Sequence, residues 1–169
     1  MKGGHKGILL ILLDVGFGGG FPVLPIAKLH PKVKCLGVDT RGKKVKVVTE
    51  IAAKLRLKNV QLIHSRIEDV FIDIPATCTF KAVGKVSDFL NKIDTNQKLQ
   101  VYFYKGPNFY TLEKEQIEEC KKDWDIIEET EIEVDGVDKR YLIGFENKKV
   151  PHRTEVKSGN NLVKLTDLI

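Results

Sequence analysis

With 169 residues, 42% hydrophobic and 30% charged, the chain is long enough to bury one ordinary core and too apolar to stay disordered. A mean hydropathy of −0.18 argues against an integral membrane protein. The net charge of +5 is unevenly spread: residues 1–105 sum to +10, residues 106–147 to −8 and residues 148–169 to +3. One part of the surface therefore suits a polyanion and another repels it, unless the acidic stretch is plain solvated helix and hairpin.

In chain order, Ile8–Leu13 is a continuous apolar run bounded by glycines, the pattern of a strand buried on both faces. It is too short to cross a bilayer and lies too near the start for a signal peptide. Pro22–Leu29 is a short helix candidate, and Lys34–Val38 a second strand. Lys43–Leu57 follows as a helix with Val47, Val48, Ile51, Leu55 and Ala52 on one face and lysines opposite. Val60–His64 is a third strand, Cys78–Val83 a fourth, Val86–Ile93 a helix, Leu99–Tyr104 a fifth strand and Leu112–Cys120 an acidic helix. This alternation predicts a parallel sheet with helices on both faces. Asp125–Val134 and Lys139–Glu146 flank Asp135-Gly136, a hairpin signal. The expectation is an α/β Rossmann-like fold: a mostly parallel, twisted sheet ending in an antiparallel hairpin. That suits S-adenosyl-L-methionine (SAM) methyltransferases better than dinucleotide dehydrogenases, whose sheets continue in parallel. Residues 1–150 form this domain and residues 151–169 a basic tail.

Cys35, Cys78 and Cys120 are odd in number and widely spaced, and match no metal-ligand interval. They predict buried thiols in a reducing cytoplasm, with neither a zinc site nor a disulfide framework. His5, His30, His64 and His152 are scattered, and His64 at a strand end reads as structural.

The strongest local signal is Asp14 followed by Gly16, Gly18, Gly19 and Gly20, ahead of Phe21-Pro22. It lies at the carboxyl end of the first strand, where such sheets bind ligands. The third glycine of a dinucleotide fingerprint falls on Phe21, and no Gly-Lys-Ser/Thr follows, so neither that pattern nor a phosphate loop fits. Asp14 has the chemistry to accept from an ammonium group or from loop amides. Asp39 ends the second strand roughly 20 residues on, where a carboxylate takes both hydroxyls of a ribose, or caps the next helix.

These residues carry a resemblance. Asp14-x-Gly16-x-Gly18-x-Gly20-Phe21-Pro22 is similar to the first motif of the RsmG (GidB) family, bacterial 16S rRNA guanine-N7 methyltransferases. Asp39 with Lys43-Lys44, Asn59-Val60, Arg66-Ile67-Glu68, Thr79–Val83, Lys105-Gly106 and Pro151–Arg153 follow in the family's order, over residues 8 to 155. The resemblance implies SAM bound at Gly16, Phe21, Ile67, Glu68 and Lys81, beside the acids and glycines already named (Asp14, Gly18, Gly20 and Asp39). Arg66 and Glu68 also suit a surface ion pair. Phe17 stands where the family has a small hydroxyl residue, which would set a ring beside the cofactor. Lys81 replaces an arginine, and of the family's helical segment before the first strand only seven residues stand here, as expected either of a truncated chain or of a shortened member with altered RNA contacts or activity.

Methylation at N7 needs positioning rather than a general base, because that nitrogen carries an in-plane lone pair and no proton at neutral pH. No catalytic side chain is therefore expected, and no metal. RNA contacts are expected at Arg41, Lys43, Lys44, Arg66, Lys81, Lys85, Lys105 and Arg153, with Phe109 and Tyr110 available to stack on a base. Lys43 and Lys44 equally suit a solvated helix face. The partner implied is 16S rRNA or the 30S subunit, met by a cytoplasmic monomer. The alternative is a catalytically impaired methyltransferase fold serving as an RNA- or ribosome-binding accessory protein.

Overall fold

Alternation along the first strand sorts the core into two layers. The computed structural model describes residues 10–136, 138–150 and 162–169. Strand β1 (Leu10–Val15) sends Ile11, Leu13 and Val15 into one hydrophobic cluster and Leu12 into a second, as the two-residue period of a strand requires. Helices α1 (Val23–Leu29) and α2 (Gly42–Lys54) cover the second cluster, with β2 (Val33–Asp39) and β3 (Val60–His64) beside them. Of the predicted apolar face of α2 only Val48 and Ala52 are buried; Val47, Ile51 and Leu55 are exposed, so the buried stripe is narrower than expected.

Strands β4 (Val70–Ile72), β5 (Thr77–Lys81), β6 (Asp94–Thr95) and β7 (Gln100–Lys105) follow, with helix α3 (Val86–Leu90) between β5 and β6. Helix α4 (Phe109–Cys120) leads to the hairpin of β8 (Trp124–Ile132) and β9 (Arg140–Asn147). The main sheet runs β3-β2-β1-β5-β7-β9-β8, parallel except for β9, which is antiparallel to both neighbours. It is the expected Rossmann-like arrangement. Phe80 on β5 stacks on Phe103 of β7 at 4.7 Å, and Phe145 of β9 meets Phe103 edge-on, joining the hairpin to the parallel core.

A second sheet was not foreseen. β4 lies between β6 and β10 (Val163–Lys164), all parallel. Residues read as a tail therefore join the body: Leu165 is buried, and Thr166 donates from N (3.0 Å) and Oγ1 (2.6 Å) to the Asp73 carboxylate. Ile8, Leu9, His5 and residues 151–161, with Arg153 among them, lie outside the described residues. The three cysteines are free and buried, and no helix among the described residues is long and apolar enough to cross a membrane.

Candidate functional site

Strand order reverses beside β1, because β2 lies on one side of it and β5 on the other. This opens a crevice at the carboxyl ends of the three strands. The glycine loop leaves β1 there. Gly16 has φ +71° and donates its N–H to Val38 O at 2.8 Å, tying the loop to β2. A Cβ at Gly16 would stand 3.0 Å from Val83 Cγ1, so both the backbone angle and the neighbouring loop demand glycine. Gly20, whose N–H closes on Phe17 O at 2.8 Å, packs beneath Leu24 and Val48 and shapes the turn into α1.

Asp39, at the end of β2, is buried and fully engaged. Oδ2 accepts from Gly18 N at 2.9 Å and Arg41 Nη2 at 3.2 Å. Oδ1 accepts from Arg41 N at 2.9 Å and Arg41 Nε at 3.1 Å. Burial works to raise the pKa of this carboxyl, but the Arg41 side chain and the Arg41 and Gly18 amides outweigh it and hold it below the ordinary value. Two oxygens side by side, anchored to the glycine loop, match the vicinal hydroxyls of a ribose once the guanidinium moves aside.

Asp14 lies inside β1 rather than after it, paired in register with Gly37 and Thr79. Thr79 Oγ1 donates to Asp14 Oδ1 at 2.9 Å, while Oδ2 is buried without a hydrogen-bond partner. Burial pushes the carboxyl up from 3.8 to about 6; Thr79, the Val23 amide and the Lys81 charge pull the other way, and the Asp39 charge adds to the rise. The Val23 amide favours the charged form without completing a hydrogen bond to Oδ2. A buried, unsatisfied carboxylate oxygen is costly and suits a cationic ligand group.

A cavity of about 460 Å³ opens here, within the range of small-molecule sites. Of the residues the sequence singled out, Gly16, Asp39, Arg41, Arg66, Ile67 and Glu68 line it. The short 3-10 turn Ile67–Asp69 brings Ile67 and Glu68 to the opening, Ile67 buried and Glu68 exposed. Sequence reasoning missed Ala82, Val83 and Phe89 on the β5–α3 side, and Lys92, whose Nζ lies 3.8 Å from Glu68 and 5.5 Å from the Phe89 ring centre. Asp14, Gly18, Gly20, Phe21 and Lys81 are not in the lining: Asp14 lies buried beneath it, and both Phe21 and Lys81 are exposed.

Three expectations are corrected. The Phe17 ring is not beside the cavity: it is buried in the α1–α2 layer, with its Cδ1 2.7 Å from where a Gly37 Cβ would be. Lys105 is no free phosphate contact, since its side chain is only 10% exposed and its Nζ lies 2.5 Å from Glu113 Oε1 and donates to Gly84 O at 2.9 Å. Phe109 is buried and is not presented to a base; Tyr110 is exposed, with its hydroxyl donating to Glu129 at 3.0 Å and its ring edge-on to Tyr141. The remaining cations, Lys43, Lys44, Arg66, Lys81 and Lys85, are exposed. Lys43 and Lys44 stand in the first turn of α2, which has no acid; cations there oppose the helix dipole, so helix stability does not account for them. His64 donates from Nε2 to Thr40 O at 2.9 Å, a structural role. Asn59 is likewise structural: its Nδ2 reaches the Ala27, His30 and Val33 carbonyls and pins the α1–β2 turn.

Comparison with known proteins agrees with this architecture. The chain is 47% identical over 80 residues to ribosomal RNA small subunit methyltransferase G of Pseudomonas entomophila, a match covering 47% of this chain and 37% of that protein. With the protein of the same name from Phocaeicola vulgatus it shares 53% identity over 58 residues, 34% of this chain and 28% of the relative. The chain thus matches well under half the length of these curated relatives. Among solved structures, the ribosomal protein L11 methylase of Lactobacillus delbrueckii subsp. bulgaricus superposes with a TM-score of 0.61 at 18% identity, over 86% of this chain and 73% of that one. A 16S rRNA adenine-N1 methyltransferase from Catenulisporales acidiphilia, solved with SAM, gives 0.58 at 15% identity over 85% and 86%. These likenesses establish a methyltransferase fold. The family model described as rRNA small subunit methyltransferase G (GidB) matches residues 4–143, and the chain belongs to that family.

Proposed function

We propose that this chain is the cofactor-binding core of a SAM-dependent methyltransferase acting on guanine N7 of 16S rRNA. The observation that carries the reading is the convergence of Gly16, Asp39, Ile67 and Glu68 on one cavity at the strand-order reversal, in a chain of this family. The buried Asp14 oxygen and the paired oxygens of Asp39 suit an ammonium and a ribose diol, and the apolar lining from Val38, Ile67, Val83 and Phe89 suits an adenine ring. When bound, SAM supplies an electrophilic methyl group on a sulfonium.

The chain's own contribution is binding and orientation. Asp39, anchored by the Gly18 amide, holds the ribose end, Asp14 answers positive charge beneath the loop, and Ala82 and Val83 form one wall of the cavity. Guanine N7 attacks with its own lone pair, so no side chain has to remove a proton first. Rate enhancement then comes from in-line alignment. The exposed Lys43, Lys44, Arg66, Lys81 and Lys85 surround the same end of the sheet, and Arg41 joins them once released from Asp39; these form the RNA-facing rim. The setting is cytoplasmic, in keeping with three free thiols, and the protein acts as a monomer on the 30S subunit.

Titration calorimetry with SAM and S-adenosylhomocysteine (SAH) tests the cofactor, and tritiated methyl transfer to 30S particles lacking the modification tests the substrate. Micromolar binding lost in Asp39→Ala is expected. A folded chain that binds neither ligand overturns the enzyme reading and leaves the RNA-binding accessory role. That second reading is favoured by one observation, the occupation of both Asp39 oxygens by Arg41.

A further inference from the structure

The end of β7 and the middle of α4 hold a lysine–carboxylate pair in which both side chains are at least nine-tenths buried, the one such pair among the described residues. Lys105 Nζ lies 2.5 Å from Glu113 Oε1 and donates to Gly84 O at 2.9 Å. Glu113 Oε2 accepts from Val86 N at 2.8 Å. The two side chains thus grip the backbone on either side of Lys85, at the junction of the β5–α3 loop with the first residue of α3. A buried ion pair returns little net stability over an apolar pair of the same size, so folding alone is a weak reason for this one. What it does fix is a loop with a costly backbone: Ala82 has φ +52°, a left-handed angle unfavourable for a residue with a Cβ. That loop is one wall of the cavity. Ala82, Val83 and Phe89 all line it, and Val83 packs over Gly16.

We infer that Lys105 and Glu113 form a positioning pair, which holds the 82–86 loop in its left-handed turn and so sets the affinity of the cavity for an adenosyl ligand. The pair touches no ligand itself. Charge-assisted hydrogen bonds are short and directional, which is what a loop needs if it is to keep a conformation that its own sequence disfavours. The inference rests on the reading that this cavity takes SAM.

The test is the double variant Lys105→Met/Glu113→Leu, which removes both attachments at near-constant volume and leaves no buried charge unpaired. Ile117→Ala, one turn further along the same helix and without a hydrogen bond to the loop, serves as a destabilised control. The expected result is SAH binding weakened by about tenfold in the double variant, from lost preorganisation. Val86 amide exchange should accelerate, and Ile117→Ala should lower Tm with affinity intact. SAH affinity equal to the parent, or reduced no more than in the control, overturns the inference. If the parent chain itself binds no SAH, the proposed function fails, and Val86 exchange decides the clamp separately. Acceleration confined to residues 82–86 supports it, and an unchanged amide overturns it.

Discussion

Arg41 closes on Asp39 as a two-point fork, Nε 3.1 Å from Oδ1 and Nη2 3.2 Å from Oδ2, at the mouth of the cavity. Both oxygens that a ribose diol would use are thereby taken. The arginine side chain is 60% exposed against 2% for the aspartate, so the arginine is the partner free to move. A ligand has to displace it, and the cost is that of a largely solvent-exposed pair. Arg41→Ala is therefore expected to tighten SAH binding by up to ~5-fold, while Asp39→Ala weakens it by ~100-fold through the loss of a bidentate charged acceptor. Calorimetry on the two variants checks this; weaker SAH binding in Arg41→Ala would show that the guanidinium helps to hold the ligand.

Asp14 predicts a pH dependence whose sign is opposite to that of most carboxylates. Its folded-state pKa is about 6 against 3.8 ordinarily, so between those values the folded chain holds a proton that the unfolded chain has lost. The stabilising contribution is full below about pH 4 and disappears as pH rises through about 6. Asp14→Asn removes this slope. Denaturant unfolding of parent and variant should show the variant gaining roughly 2–3 kcal/mol relative to the parent from about pH 4 to pH 7. A parallel pair of curves would mean that Asp14 titrates normally.

Phe17 contributes to the core and not to the ligand site. Its ring fills the space over Gly37 that any side chain there would claim: a Cβ at Gly37 would stand 2.7 Å from Phe17 Cδ1 and 2.6 Å from Leu62 Cδ2. Phe17→Ala should cost ~3–5 kcal/mol of stability, the range for a buried aromatic truncated to a cavity. SAH affinity, measured well below the lowered Tm, should stay at the parent value. A selective loss of affinity would put the ring back beside the ligand.

Lys43 and Lys44 predict a salt signature. If they meet phosphates, Lys43→Ala/Lys44→Ala lowers the slope of log K against log salt for an rRNA fragment by ~1–2, with affinity falling alike for unrelated sequences. Lys105→Met should leave that slope where it is, because its ammonium is already committed to Glu113. An unchanged slope in the double lysine variant assigns those residues to plain helix surface.

Much of the architecture was legible along the chain. Val60–His64 was read to the residue, and the other main-sheet strands to within a few. The second sheet was not, because its strands are only two or three residues long and pair segments as far apart as Val70 and Val163. Such pieces carry no measurable period. The site divides in the same way. Gly16, Asp39, Ile67 and Glu68 sit in short contiguous motifs and could be found, whereas Phe89 and Lys92 reach the cavity only through the placement of α3 and the turn after it.

Hydrophobic period and glycine spacing were enough to specify the order of the main-sheet elements, the Rossmann-like class and the loop at its reversal point, since these depend on neighbours in sequence. Charge could be counted there but not located. Lys105 and Arg41 read alike as basic residues at strand ends, yet one is buried against Glu113 and the other lies exposed over Asp39. Whether a cation is free, latched or locked depends on desolvation and on a partner brought close by folding. The sum of +10 over residues 1–105 held none of that information.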